Sequence, residues 1–451
     1  MPLFSRNKKT VPSRELEKPQ RGQKPQKNNK QNTSPNKVEK IICPYCLQSL
    51  DHDDPDSIVF AGEETDAVDP IFLAHIAKYE GLETIDFKNH STEILKGSDP
   101  GARVVKDDHS PYPVSLRYSL DDGSIKAYGT RLCGKCHCVL PPSIERSPVY
   151  TLVLLGGSSS GKTMYIAALS EHFEREMHAM GLGHAELAPE SKVVTENILK
   201  KQWEKSERKA SSPTRQLFPT VFTITDHTRT DGRSIILSIQ DFAGEGMRDT
   251  TYLLRHPIAE KLDGVLVFVD INQLDLLHNK VNIEALSTRT LASEFNSFTV
   301  EVRRFLKKAK AVAVVMSKID ILSMSVFHDT IANIKQTIAF TPKLHEWHKE
   351  GVSVSTICDV SDTIRGIFEE KGRSALNTLY KNLADEEDKV QKKRNELGRI
   401  EFFGVSTMRV SESELTDGAY INKFDEEVGV HRLLEPILFI LAKWGVLKEI
   451  Q

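Results

Sequence analysis

The sequence of 451 residues lacks an apolar run of about 20 residues, the length a membrane-spanning helix needs. Its opening, Met1-Pro-Leu-Phe-Ser-Arg6, lacks the apolar core of a secretory signal. It has little net charge, −3 at pH 7, and so offers no global field for nucleic acid. It has only six cysteines, five of them in pairs or near-pairs. That clustering suits a metal in a reducing compartment better than a disulfide framework. Together these shortages lead to the expectation of a soluble cytoplasmic protein with no membrane partner.

The near-neutral total conceals an asymmetry. Residues 1–40 carry eleven Lys/Arg against three Asp/Glu, a net of +8, which leaves −11 for the remainder. This stretch is rich in Lys, Gln, Asn, Pro and Ser and has too little apolar surface to offset the entropy of ordering. Residues 1–40 are therefore expected to be a disordered basic tail. Nucleic acid is a conceivable partner for it, but aromatic interleaving is absent, which favours a solubilising role.

The stretch with the clearest chemistry runs from Val149 to Leu169. The apolar run Val149-Tyr-Thr-Leu-Val-Leu-Leu155 has strand character and enters Gly156-Gly157-Ser158-Ser159-Ser160-Gly161-Lys162-Thr163. The loop fits Gly-x-x-x-x-Gly-Lys-[Ser/Thr], a phosphate-binding signature whose backbone N–H groups cradle phosphate oxygens. Gly156 and Gly161 supply conformations that a Cβ obstructs. Lys162 is expected to reach the β- and γ-phosphates, and Thr163 to ligate Mg²⁺. Ile166, Leu169, Phe173, Met177 and Met180 recur three or four apart, as on one face of a following helix.

Cys43-Pro-Tyr-Cys46 and Cys133-Gly-Lys-Cys136 are two Cys-x-x-Cys knuckles. They can supply four thiolates to one tetrahedral Zn²⁺, although residues 47–132 lie between them. A redox pair and unconnected thiols are the competing readings. Cys138 is a possible substitute ligand, Cys358 a small apolar filler, and His52, His109 and His137 bystanders. Residues 41–145 are thus expected to form a zinc-ribbon-like module with an insertion. Within it lie a helix around Ile71–Lys78 and a hairpin over Val114–Ala127, turning at Asp121-Asp122-Gly123.

Beyond the phosphate loop, strands and helices alternate. Residues 184–212 are polar and helical in pattern. Val221–Thr225 and Ser234–Gln240 read as an antiparallel pair. The second runs into Asp241-Phe-Ala-Gly244-Glu245, an acid at the end of a buried strand where Mg²⁺ is held. Gly264–Asp270, Ala311–Met316 and Glu401–Val405 are further buried-strand patterns. A helical insertion is expected over about 341–397, and an apolar helix over His431–Val446 closes one sheet face. This alternation describes an α/β P-loop fold over residues 146–451: a mostly parallel sheet with helices on both faces and its site along one edge.

Four loops, in order, resemble those of the Ras and translation-factor class of GTPases. They are Gly156–Thr163, Asp241-Phe-Ala-Gly244, Ser317-Lys318-Ile319-Asp320 and Ser406-Thr407. The resemblance implies that Ser317, Lys318 and Asp320 read the guanine of GTP or GDP, with Ser406 and Thr407 supporting it. It implies a catalytic set of Lys162, Gly244 and Glu245, and Mg²⁺ at Thr163, Asp241 and a switch threonine. Thr214 and Thr220 are both candidates for the last, with Thr220 preferred because it abuts the strand at Val221. The whole layout resembles the double-GTPase proteins of bacterial conflict and defence operons, which implies protein partners from the same system.

Two departures bear on rate. Ser317 stands where the class has Asn, and Glu245 stands where Ras-type enzymes have the Gln that orients water. No arginine is an obvious in-cis finger, although Arg248 and Arg255 lie near. The expected activity is slow, Mg²⁺-dependent GTP hydrolysis. A non-hydrolysing nucleotide-bound scaffold and an ATPase are the alternatives.

Overall fold

The computed structural model describes residues 41–450 apart from 80–81, 83–84, 86, 88–89, 108–110, 158–159, 200–216, 227–233, 242–256, 271–305, 320–350, 372–395, 408–409, 417–418 and 425–431. The expected basic tail, His109, Thr214, Gly244, Glu245, Arg248, Arg255 and Asp320 lie outside the described residues.

The first described part is built of short strands around the two cysteine knuckles. β1 (Ile41–Ile42) and β2 (Ser49–Leu50) pair antiparallel on either side of the first knuckle. β3 (Ile58–Glu64) leads to α1 (Pro70–Ile76), capped by Asp69, whose carboxylate accepts from the amides of Ile71 and Phe72. This is the helix expected from Ile71, ending two residues earlier than the pattern suggests. β4 (Thr92–Leu95), β5 (Ala102–Lys106), β6 (Pro113–Ser119) and β7 (Ile125–Tyr128) follow, and β8 (Arg131–Cys133) delivers the second knuckle. β3 pairs antiparallel with both β4 and β8. β6 and β7 form the expected hairpin, with Gly123 at φ 80° in its turn. The 86-residue gap is thus structured, and β3–β8 pairing returns the second knuckle to the first: Ile58 faces Cys133 across the ladder.

The second part is a seven-stranded sheet. It is entered through β9 (Val149–Gly156), followed by α2 (Lys162–Ala179), β10 (Gly183–Leu187), α3 (Pro189–Val194), β11 (Thr220–Asp226) and β12 (Ser234–Asp241). Then come α4 (Ile258–Lys261), β13 (Gly264–Asp270), β14 (Ala311–Ser317), β15 (Val352–Ser353), α5 (Val354–Lys371) and β16 (Ile400–Val405). β17 (Val410–Thr416), β18 (Ala419–Phe424), α6 (Glu435–Lys443) and β19 (Glu449–Ile450) follow, and a π-helical turn, Thr195–Leu199, continues α3. The strand order is β10-β11-β12-β9-β13-β14-β16. The five strands from β12 to β16 in that order run parallel, and β11 is antiparallel to both of its neighbours.

β10 corrects the expectation of helix from residue 184. Gly183–Leu187 pairs antiparallel with Phe222–Asp226. It is an edge strand of alternating burial carrying His184 and Glu186, so it shows no apolar run. The two-stranded β17–β18 hairpin has no counterpart in the sequence reading either.

Alternation along the strands decides what covers each face. On β12, Ile235, Leu237 and Ile239 join the large core beneath α2, and on β11 Phe222 meets Phe173 of α2 edge to face, with centroids 5.0 Å apart. The other side of the same two strands, Val221 and Ile236, belongs to the apolar cluster that contains Cys43, Cys133, Cys136 and Cys138. The cysteine part therefore serves as the covering layer for one face of β11 and β12. On β16, Phe403 packs against Phe439 of α6, while a Cβ on Gly404 would meet Ile364 of α5 at 2.9 Å. Helices thus cover both faces of the sheet, as expected. Trp444, at the end of α6, stacks on Tyr150 of β9 and donates from Nε1 to the Asp263 carbonyl at 3.3 Å. Cys358 is buried in α5, as a small apolar filler should be.

Candidate functional site

All the parallel strands end at one edge, and those of the expected nucleotide-binding residues that are described lie there. β12 and β9 are parallel, with Asp241 opposite Leu154. That register sets the carboxyl end of β12 beside the turn that leaves β9 and starts α2. Gly156 packs where a Cβ would meet both the Phe268 carbonyl and Ser160 Oγ at 2.7 Å. Gly161 has φ 87° and directly precedes α2, a left-handed conformation that favours glycine.

Lys162 is 6% exposed, and its Nζ donates to the carbonyls of Gly156 at 2.8 Å and Gly157 at 2.9 Å and to Ser160 Oγ at 3.3 Å. Burial lowers its pKa, opposed by the Asp241 charge. The ammonium is thus held by oxygens of the loop itself, from Gly156, Gly157 and Ser160. Ser158 and Ser159 lie outside the described residues.

Thr163 Oγ1 donates to Asp241 Oδ2 at 3.2 Å. The other oxygen, Oδ1, is buried with no hydrogen-bond partner among the described residues. A buried unpaired carboxylate oxygen is costly. Accordingly the Asp241 carboxyl is pushed up to about 6 by burial, against the pull of Lys162 and the Thr163 hydroxyl. A hydroxyl, a carboxylate and an open lone pair form the hard oxygen set that Mg²⁺ prefers. Thr220 begins β11 opposite Ile239, on the face that carries Asp241. Asp241 is its diagonal cross-strand neighbour on that face, about 7–8 Å away for such pairs.

At the far side of the loop, Ser317 ends β14 and donates from Oγ to the Val269 carbonyl at 3.4 Å. A Cβ on Gly161 would lie 3.5 Å from Ser317 Cβ, so the base motif abuts the phosphate loop even without the amide of an Asn. Lys318 has φ 59°, and its ammonium pairs with the Asp270 carboxylate at the end of β13. Asp270 is a site residue that the sequence reading passed over. Its signal was the one used for Asp241, an acid ending a buried strand beside the phosphate-loop strand. A Cβ on Gly404 would come within 2.2 Å of Ile319 Cδ1, so glycine lets the base motif sit down on β16. Ser406 is buried just beyond β16, and Thr407 is half-buried beside it.

The four cysteines come together away from this edge. Cys43 and Cys136 sulfurs are 3.7 Å apart, Cys46 and Cys133 sulfurs 3.8 Å, and all four lie within 4.8 Å of one another. A tetrahedral Zn²⁺ with sulfurs at about 2.3 Å sets them about 3.8 Å apart. The two knuckles share one backbone device: the residue after each second cysteine, Leu47 and His137, has φ 58° and 55°. The Lys135 amide donates to Cys133 Sγ at 3.4 Å. Burial holds the Cys43 and Cys136 thiols up, while hydrogen bonds from its neighbours push Cys133 down. The donor set fits Zn²⁺. Cys138 and His75 lie close to Cys136, and His137 pairs with Asp69 through Nδ1, so it is a bystander as expected.

Residues 153–325 match the family model described as Double-GTPase 1. Over these residues the chain is similar to P-loop GTPase domains of the double-GTPase kind. The matched span takes in the second half of β9, Lys162, Asp241 and the base motif, and leaves out the cysteine knuckles and Ser406-Thr407. Among curated proteins no match is found. Solved structures similar to this chain include the S. cerevisiae Ski7 GTPase-like domain bound to GTP, at 12% identity and TM-score 0.30, covering 68% of this chain and 52% of that one. Another is a bacterial selenocysteine-specific elongation factor, EF-Sec, at 15% identity and TM-score 0.21, covering 42% and 24%. The chain spans about half or less of the length of these structures, and the double-GTPase assignment rests on the family match and the ordered loops.

Asp241 gives this domain a pH signature. Its pKa is raised on folding, so the protein is destabilised as pH rises from the ordinary carboxylate range through about 6. A shift of about two pK units is worth about 3 kcal/mol. Asp241→Asn should therefore raise the melting temperature of nucleotide-free protein at pH 8, with the gain shrinking towards pH 4. A gain that is constant with pH would show that Asp241 is not held up by burial.

Proposed function

We propose that this chain is a GTP-binding switch protein that hydrolyses GTP slowly with Mg²⁺, working through protein partners in a bacterial defence or conflict system and in the cytoplasm. The observation that carries the nucleotide reading is the Thr163–Asp241 pair beside Lys162, with its unpartnered buried oxygen. In this reading the amides of Gly156–Thr163 and the Lys162 ammonium bind the phosphates, and Thr163, Asp241 and Thr220 hold Mg²⁺. Mg²⁺ bound there supplies charge neutralisation at the phosphate oxygens. Gly244 brings an amide to the γ-phosphate, and Glu245 holds the attacking water. A carboxylate at Glu245 adds negative charge beside the phosphate, which is the physical reason for slow turnover. Ser406 and Thr407 back the base, and Lys318, steadied by Asp270, lies along it.

The defence setting rests on a resemblance of the chain's layout, paired knuckles before a GTPase core and a closing helix, to double-GTPase proteins; the family match supports it over residues 153–325 alone. The knuckles act as a structural zinc site in this reading, because a metal held by four sulfurs leaves no open position for chemistry. Elemental analysis should find one zinc per chain, and Cys136→Ser should lose it. Full zinc occupancy in that variant would refute the four-thiolate centre.

Base choice tests the function. Asp320 is placed by resemblance to accept from guanine N1–H and the 2-amino group. Each such charge-assisted bond is worth roughly 1.5–3 kcal/mol, so GTP should bind about 10²–10⁴-fold more tightly than ATP. Asp320→Asn should erode that preference and improve binding of xanthosine triphosphate, whose 2-oxo group accepts from the new amide. Unchanged base selectivity in competition binding would mean that Asp320 only caps its helix.

A further inference from the structure

Between the thiolate knuckles and the nucleotide edge stands a dipeptide on α3, Glu190-Ser191, both about 2% exposed. Ser191 grips the start of β11. Its hydroxyl donates to the Pro219 carbonyl at 3.1 Å and accepts from the Val221 amide at 2.9 Å. One side chain therefore fixes the backbone on both sides of Thr220. Val221 is held from its carbonyl as well, which accepts from the Ala188 amide at 2.9 Å.

Glu190 faces the other way. Its Oε2 accepts from the Tyr45 hydroxyl at 2.8 Å, and Tyr45 lies inside the first knuckle between Cys43 and Cys46. Its Oε1 accepts from the Val139 amide, just past the second knuckle, and lies 3.4 Å from His90 Nε2. A second link runs in parallel: Ser238 on β12 donates to the Pro44 carbonyl at 2.5 Å, three residues before Asp241. The knuckles are thereby bonded to the beginning of β11 and to the strand that ends in Asp241. A buried carboxylate costs stability unless its oxygens are satisfied, and here Tyr45 of the first knuckle and Val139, just past the second, satisfy one oxygen each.

We propose that Ser191 is a positioning residue for the Mg²⁺-binding threonine, Thr220, and that Glu190 sets its position from the paired knuckles. The proposal rests on the reading of Thr220 given above. A switch threonine binds Mg²⁺ when a γ-phosphate is present and lets go in the diphosphate state. Loss of its support therefore weakens the triphosphate complex and spares the diphosphate complex. General loosening of the fold affects both.

The experiment measures release of fluorescent GTP and GDP analogues from full-length protein at saturating Mg²⁺, for wild type, Ser191→Ala, Thr220→Ala and the double variant. Ser191→Ala is expected to speed GTP release about tenfold, the order of one well-placed hydrogen bond, and to leave GDP release unchanged, which also certifies folding. The double variant should release GTP no faster than Thr220→Ala alone. If Thr220→Ala leaves GTP release unchanged, the threonine assignment fails and the proposal falls with it. If Thr220→Ala acts but Ser191→Ala is silent, or speeds both nucleotides equally, the positioning role alone is overturned.

Discussion

The structure depends on one alignment: β9 and β12 run parallel with Asp241 opposite Leu154. Everything at the nucleotide edge follows from that register. A slip of one residue on β12 turns Asp241 from the α2 face to the cysteine face. It also breaks the Thr163–Asp241 hydrogen bond and moves Ser238 away from Pro44. The fold defends the register from both sides, with Leu237 and Ile239 in the core beneath α2 and Ile236 in the cysteine-side cluster. A carboxylate with an unpartnered oxygen is then held where Lys162 and the Thr163 hydroxyl offset only part of its burial cost. Such a site is poised to gain stability when a cation arrives, since whatever binds the folded form alone stabilises it.

The cysteine part gains a meaning from the same strands. In sequence it reads as a separate module, with a boundary near 145. In the structure its side chains share an apolar cluster with Val221 and Ile236, and its backbone accepts from Ser238. An open sheet needs both faces covered. Here the face of β11 and β12 opposite α2 is covered by a knuckle-bearing layer to which the short helices α1 and α3 contribute Phe72, Ile76 and Val194. The four sulfurs converge within that layer from segments 87 residues apart, and the layer and the strands beneath it share one apolar cluster.

The phosphate loop, the parallel strands and the closing helix were legible because each rests on a local signal. A strand-length apolar run before Gly156, an acid after Gln240 and a three-four apolar spacing after Lys162 are visible without knowing the fold. What escaped is non-local or half-exposed. β10 alternates buried and exposed residues around His184 and Glu186, so nothing in its composition separates it from a polar helix. Glu190 and Ser191 look like surface residues in sequence; only the fold brings Tyr45, 145 residues away, to the carboxylate. Asp270 carried the right signal, yet its partner Lys318 is 48 residues on. Ser317 looked like a lost tie between base and phosphate loops, but its short side chain packs at Gly161 and bonds the Val269 carbonyl.

The central claim is that this edge holds a guanine nucleotide. The most direct measurement is to release and identify, by chromatography and mass spectrometry, whatever nucleotide the protein retains after purification without denaturant in Mg²⁺-containing buffer. The account predicts GDP or GTP in the wild type, lost when Lys162 is changed to Ala. Retention of ADP or ATP instead, or of the same nucleotide by the Lys162→Ala variant, would contradict it.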